Sequence, residues 1–413
     1  MGGAAEKGSG RIAMKLSVRP AESADLAGID KLRSLAYPVS QDSHDPDWHH
    51  SLWRWIERHP LADEELHRWV LVTEEEEVVG HLAAMPQYYR IGGRRVVAHT
   101  PADYQVLPQY GFHALLLMRK FFRTVRNCVS IDMLPSVIAV ETRLGAEEAG
   151  EMQYMAKLLN VSRLPVPTLP TPVRRLLNLE DKSVKARGYA GRPGAEQQDA
   201  EEHAAPPPVR PRAPIPKPVK GLLNGGLRVA DEALGSVSGS RLRVEKLEGF
   251  DASFDELFEK VASRVPCVPE KDSAFLRWRY GPGSPQHPVT ILSVKEGGSL
   301  LGYAVLMVTS TGQDGYVLDL TTLPGRRDVA RALLRESVRY FRRAGAQIVR
   351  YRFRESATTP RSSDLLRMGF FYRKGRNNSL LVKFAEPKAH EMANDIANWS
   401  YTVGDGEGSF WTR

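Results

Sequence analysis

The sequence writes one phrase twice. Asp-x-x-x-Leu-Pro stands at Asp103–Pro108 and again at Asp319–Pro324, and each copy runs into a helix-forming stretch. Three further matches keep the same order. His113-Ala114-Leu115-Leu116 answers Arg331-Ala332-Leu333-Leu334, Phe121-Phe122-Arg123 answers Tyr340-Phe341-Arg342, and Arg143-Leu144-Gly145 answers Arg367-Met368-Gly369. Each match alone is cheap; four in one order, at corresponding predicted elements, define a tandem repeat of one α/β unit. A chain built this way folds as two related lobes, because each copy carries its own strands, helices and apolar faces.

In the first copy "LSVRP" reads as a strand, "SADLAGIDKLRSLAYP" as a helix with leucine and isoleucine on one face, and "DPDWHHSLWRWIERHP" as a second helix. Three antiparallel strands follow up to "DYQVLP", with "EEEE" and "IGGRR" at the turns. Helix "HALLLMRKFFRTV", strand "CVSIDML" and helix "SVIAVETRL" complete the unit. The second copy repeats this order, from strand "SRLRVEKL" to a final strand "NSLLVKF". Between them "PPPVRPRAPIPKP" has proline at seven of thirteen positions, which imposes an extended, semi-rigid segment. We therefore expect a first lobe over 14–160, a proline-rich linker over 161–240 that is disordered across much of 180–220, a second lobe over 241–386, and a tail over 387–413. The related phrases "PVRRLLN" and "PVKGLLN" predict short helices on either side of the linker.

Composition narrows the function. A net charge of +8 on 413 residues suits a phosphate-bearing ligand and argues against a nucleic-acid partner. Two cysteines exclude a disulfide framework or a four-cysteine zinc site. No run reaches the ~18 apolar residues of a membrane span, and no apolar stretch follows the opening residues as in a signal peptide. The expected location is cytoplasmic.

The repeated phrase sits where a strand hands over to a helix. Helix N-termini expose unpaired N–H groups and partial positive charge, a ready seat for phosphate oxygens. Pro324 stops the strand, Gly325 allows a tight turn, and Arg326 and Arg327 add charge and paired donors. Asp328 would repel a phosphate if it faced inward; its other reading is a helix cap.

The order strand, two helices, three strands, helix, strand, helix, strand resembles the GNAT acyltransferase fold. That family's motif, Gln/Arg-x-x-Gly-x-Gly/Ala, lies at this turn. Arg327-Asp328-Val329-Ala330-Arg331-Ala332 is similar to it, as is Gln109-Tyr110-Gly111-Phe112-His113-Ala114. The resemblance implies two GNAT-like lobes, each a mixed, largely antiparallel sheet flanked by helices. It also implies acetyl-CoA as cosubstrate, without a metal. Leu323, Gly325, Arg326, Arg327, Asp328, Val329 and Ala330 would hold it in the second lobe, and Val106, Leu107, Gly111, Phe112 and His113 in the first. Ala330 is small enough for the place of the motif's middle glycine, whereas Phe112 is expected to crowd it. In such enzymes an acid on the fourth strand often serves as base, which points to Asp103 and Asp319. The tyrosine that commonly protonates the leaving thiolate is absent from its usual place in both lobes. Tyr351, on a nearby strand, is the candidate, with core packing as its other reading.

The implied activity is acyl transfer to an amine, with a small amine or an amino sugar of a surface polysaccharide pathway as acceptor. Two alternatives stand beside it: a catalytically degenerate pair acting as a binding or scaffold protein, and an aminoacyl-tRNA-dependent transferase of the peptidoglycan-bridge type. "DSHDPDWHH" invites a metal reading, but adjacent His49 and His50 point about 100° apart on a helix and are expected to face solvent. "FLRWRYGPG" is expected to border the acceptor cleft.

Overall fold

The computed structural model describes residues 15–36, 45–161, 217–236, 242–373 and 378–410. "PVRRLLN" and the proline-rich segment as far as Pro216 lie outside the described residues, while "PVKGLLN" falls in a described helix. The first lobe runs β1 (Ser17–Pro20), α1 (Leu26–Ala36), α2 (Pro46–Ile56), α3 (Ala62–Glu65), β2 (His67–Val72), β3 (Val78–Ile91), β4 (Arg94–Val106), α4 (Ala114–Thr124), β5 (Cys128–Asp132), α5 (Pro135–Arg143), β6 (Glu147–Glu151) and β7 (Gln153–Leu158). After α6 (Lys217–Ser236), the second lobe gives β8 (Val244–Leu247), α7 (Ala252–Ala262), β9 (Cys267–Pro269), α8 (Ser273–Tyr280), β10 (Thr290–Glu296), β11 (Ser299–Val308) and β12 (Asp314–Thr322). It continues with α9 (Arg327–Arg343), β13 (Ile348–Phe353), α10 (Ser362–Arg367), β14 (Phe371–Tyr372), β15 (Ser379–Lys383) and α11 (Pro387–Ala393).

Two mixed sheets result, as expected for the fold class, but they share strands. The first is ordered β1-β2-β3-β4-β5-β15-β6, with β9 paired to β3; the second is β14-β7-β13-β12-β11-β10-β8. Strand "NSLLVKF", expected in the second lobe, therefore lies in the first sheet: Leu380 pairs with Ile131 on one side and Gly150 on the other. In exchange β7 of the first copy sits between β13 and β14, with Met155 opposite Tyr351. Leu380-Leu381-Val382 and Tyr154-Met155-Ala156 are buried throughout, as a strand covered on both faces requires. Their apolar runs would suit a central place in either sheet, and pairing, which is non-local, assigns them across the lobes.

Each copy packs its main helix onto its sheet in the same way. Gly80 on β3 lets α4 approach, since a Cβ there would lie 3.1 Å from Leu117 and 3.0 Å from Val106. Gly302 on β11 does the same beneath α9, where a Cβ would come within 2.9 Å of Val329. The expected tail is well packed: Trp399 and Tyr401 are buried against Tyr89 and Cys267, and Phe410 against Trp55.

The lobes meet at a symmetric pair. Trp55 of α2 and Trp278 of α8 stack with ring centroids 4.4 Å apart and 6° between planes. Each indole N–H donates to the other's backbone carbonyl, at 2.7 Å from Trp55 and 3.0 Å from Trp278. The two residues are repeat-related, following Trp53-Arg54 and Leu276-Arg277 respectively.

Candidate active site

In both lobes the strand that ends at the repeated turn carries a β-bulge at its aspartate. On β4 the register against β3 shifts between His81 and Ala83, and Asp103 takes a left-handed φ of 50°. On β12 the shift falls between Val305 and Leu306, beside Asp319. A bulge bends its strand away from a neighbour and re-aims side chains. Both aspartates point inward and are buried.

Their partners differ. Asp103 Oδ1 accepts from Arg33 at 2.7 Å and from Gln105 at 2.6 Å, and His81 Nδ1 lies 3.2 Å from Oδ2. Burial alone would raise the Asp103 carboxyl, but the hydrogen bond with His81 and the charge of Arg33 hold it well below the usual range. Burial keeps His81 neutral. Asp319 accepts from Lys271 at 3.0 Å, Tyr303 at 2.8 Å and Thr321 at 2.9 Å. Lys271 also pairs with Asp405 of the tail at 3.0 Å. Burial pushes Asp405 up to about 6, against the pull of Lys271. His81 and Tyr303 are again repeat-related: each follows the glycine on the third strand, in Gly80-His81 and Gly302-Tyr303.

His49 and His50 converge rather than diverge to solvent. His49 is 2% exposed, and the two rings reach opposite oxygens of Asp30, at 2.7 and 2.6 Å. Trp53 Nε1 donates to His49 Nε2, and an indole N–H can only donate. Nε2 is therefore the acceptor, and Nδ1–H donates to Asp30.

The turns differ more than the aspartates. In the second lobe Arg326 grips Asp328 at 2.8 Å and lies 3.7 Å from Glu296, while Arg327 and Arg331 both pair with buried Asp364 at 3.1 Å. Asp328 stands in the first turn of α9 rather than capping it; the cap position is Arg326. Val329 and Ala330 are buried in the core, and Leu323 packs against it. Gly325 donates its N–H to Ala357 O and Thr322 to Thr358 O. Tyr351 is buried, stacked on Phe353 at 4.4 Å between centroids.

In the first lobe Leu107 is buried and Val106 packs beside it, and Pro108–His113 form a 3-10 turn leading into α4. Phe112 does not crowd the turn; it is 95% exposed, rotated outward by the 3-10 geometry. A side chain at Gly111 would meet nothing within 4 Å. His113 Nδ1 is buried without a hydrogen-bond partner. No acid occurs between Asp103 and Asp132, whereas Arg119, Lys120, Arg123 and Arg126 do.

The parallel strands behind each turn also part differently. β12 pairs with β13 from Asp314 to Val317. Beyond that the wedge is filled: Thr402 bridges Phe353, and Gly404 abuts Leu318, where a Cβ would lie 2.7 Å from its carbonyl oxygen. The loop 354–361 supplies buried Thr358 and Thr359. β4 pairs with β5 only at His99–Cys128 and then diverges. The connection to α5 is just Met133 and Leu134, 41% and 53% exposed. Glu141, on α5 behind β5, bonds Ser130; burial pushes its carboxyl up to about 7, which that bond opposes.

No family profile matches the chain, nor does any curated protein sequence. Solved structures do match its fold. A GCN5-related N-acetyltransferase from Anabaena variabilis is 12% identical, with 90% of this chain and 73% of that one covered, at a TM-score of 0.52. One from Kribbella flavida is 14% identical over 91% and 72%, also at 0.52. Saccharomyces cerevisiae N-myristoyltransferase with bound myristoyl-CoA is 11% identical over 90% and 79%, at 0.50. The fold is that of the GCN5-related N-acetyltransferases, and none of the described helices is long and apolar enough to cross a membrane.

Proposed function

We propose that the chain is an acyl-CoA-dependent N-acyltransferase whose first lobe holds the thioester and whose second lobe is a structural partner. The observation that carries this reading is the contrast between the wedges. The Thr322 and Gly325 amides of the second are taken by the chain's own carbonyls, whereas β4 and β5 part after one residue pair. Pyrophosphate would rest on the acid-free turn Leu107–His113 at the start of α4, near Val106, with backbone approaching closely at Gly111. Leu323, Gly325, Arg326, Arg327, Asp328, Val329 and Ala330 would then serve packing and ion pairing, as would Asp319 and Tyr351.

Acyl transfer needs a base for the amine proton, donors for the oxyanion and an acid for the thiolate. A carboxylate held as far down as Asp103 is a poor base, so its part in this reading is to orient His81 and Gln105 beside the bulge. The acyl group we propose is acetyl, and the acceptor a small amine, with amino sugars to be screened first. The supporting neighbours act on CoA thioesters or are named acetyltransferases, and they leave the acceptor open.

Calorimetry of acetyl-CoA with the wild type, Gly111→Leu and Arg327→Ala tests the reading. Wild type and Arg327→Ala should bind alike, while Gly111→Leu should weaken binding by roughly 10- to 100-fold, the value of one or two charge-assisted hydrogen bonds. The reverse pattern would move the thioester to the second lobe. Heat from none of the three would leave the degenerate, non-enzymatic pair as the better account.

A further inference from the structure

Midway along β4, well before the turn, three side chains from separate elements face one cavity. Glu65 ends α3, His67 begins β2, and His99 lies on β4. His67 stands opposite Ala84 of β3 and His99 opposite Pro86, so both imidazoles project from the face that carries α4. Their rings lie 6.0 Å apart and tilt by 23°. One nitrogen from each ring and one oxygen of Glu65 all fall within 4.8 Å of one another. The neighbouring cavity measures about 480 Å³, and its wall carries two carboxylates, Glu65 and Glu386, against one guanidinium, Arg126. Thr124 and Val125 at the C-terminal end of α4 also line it, where the helix presents partial negative charge.

We propose that Glu65, His67 and His99 form a divalent metal site, with Zn²⁺ the cation that the donor set suits best. Two imidazoles and one carboxylate make a three-ligand set that leaves a fourth tetrahedral position facing the cavity. Zinc–ligand bonds of about 2.0–2.1 Å place donors about 3.3 Å apart; His99 Nε2 and Glu65 Oε2 already stand at 3.2 Å, and the remaining donors, all within 4.8 Å, must draw in. Glu65 and His67 have the freedom to do so, being only partly buried at the junction of a short helix and a strand. His99 is the fixed point. It is 4% exposed, and its Nε2 lies 3.0 Å from Glu65 O and 3.2 Å from Glu65 Oε2, the nitrogen already turned to the other donors.

Bound there, the ion ties α3 and β2 to the middle of β4. From His99 to Leu107 the chain runs eight residues, roughly 26 Å along a strand, so the ion stands well away from the turn proposed for the thioester. Its effect is therefore on stability and not on the transferring atoms, and the proposal does not depend on the acyl-CoA reading.

The test uses the full chain after dialysis against EDTA. Titration with Co²⁺ should develop the intense visible bands of a tetrahedral site at one equivalent, Zn²⁺ should bleach them, and Zn²⁺ alone should raise Tm. Glu65→Gln and His67→Gln, at the two partly exposed ligands, should keep the metal-free Tm and circular dichroism of wild type. Each should weaken Co²⁺ by more than about 100-fold, beyond the 10–100-fold usual for an outer-shell change. Absence of the bands in wild type, or bands that persist at the same affinity in both variants, would overturn the assignment.

Discussion

Asp103 and Asp319 occupy one position in two copies of the same unit, each on a bulged strand, each buried beside the residue that follows a third-strand glycine. Around Asp103 the partners are Arg33, Gln105 and His81, and the strand behind it leaves its neighbour after a single pair. Around Asp319 the partners are Lys271, Tyr303 and Thr321, and the space beside it holds the tail and the loop 354–361. The difference teaches what a duplicated fold keeps. The bulge, the glycine and the turn survive in both copies because they set how helix meets sheet. The two-residue connection Met133–Leu134 and its longer counterpart, residues 354–361, differ in length, and the longer one helps fill the wedge of the second lobe.

The largest effects should come from breaking the symmetric tryptophan pair at which the copies meet. Trp55→Ala and Trp278→Ala should each cost about 3–5 kcal/mol in urea denaturation, as large aromatic truncations do. Because each indole bonds to the other's backbone and stacks on its ring, the double variant should lose clearly less than the sum. Full additivity would mean that the two act independently.

Lys271→Met should come next and should separate the two aspartates. It leaves Asp319 and Asp405 buried without their cation, a loss of about 3–5 kcal/mol near neutral pH. Arg33→Met should cost less, because Gln105 and His81 still reach Asp103. Equal losses would show that the neutral partners contribute little.

The smallest effect is read through pH. The Glu141 carboxyl is raised to about 7 by burial, so its ionisation opposes folding. Its contribution is fully present below the unfolded value near 4.5 and is lost as pH climbs through about 7. Glu141→Gln should therefore match wild type at about pH 4 and exceed it by about 3 kcal/mol at pH 8. A difference that does not change with pH would place the carboxyl in solvent.

Much of this was legible in the residues. The four paired phrases point to the doubled unit, and local periodicity and turn chemistry place Asp103 and Asp319 on the strand before each turn. Two more pairs carry the same repeat in the sequence: Arg54-Trp55 with Arg277-Trp278, which form a contact between lobes, and Gly80-His81 with Gly302-Tyr303, which supply each aspartate's neighbour. The fate of the arginines at 326 and 327 was not legible, since Asp364 and Glu296 reach them only after folding. Nor was the outward turn of Phe112, which depends on 3-10 rather than α geometry at 108–113. His49 and His50 differ from expectation for a similar reason: their angular spacing on α2 is real, but one carboxylate on α1, Asp30, stands where both rings can reach it.

The traded strands have a consequence for how the molecule is made. β15 forms the seat between β5 and β6, so the first sheet stays open until the ribosome has synthesised residues more than two hundred positions downstream. Such distant pairing raises contact order and slows folding, and the half-built first sheet presents the free edge of β5 meanwhile. The lobes are thus born in sequence but mature together, and neither copy, cut out and expressed by itself, would carry a complete sheet.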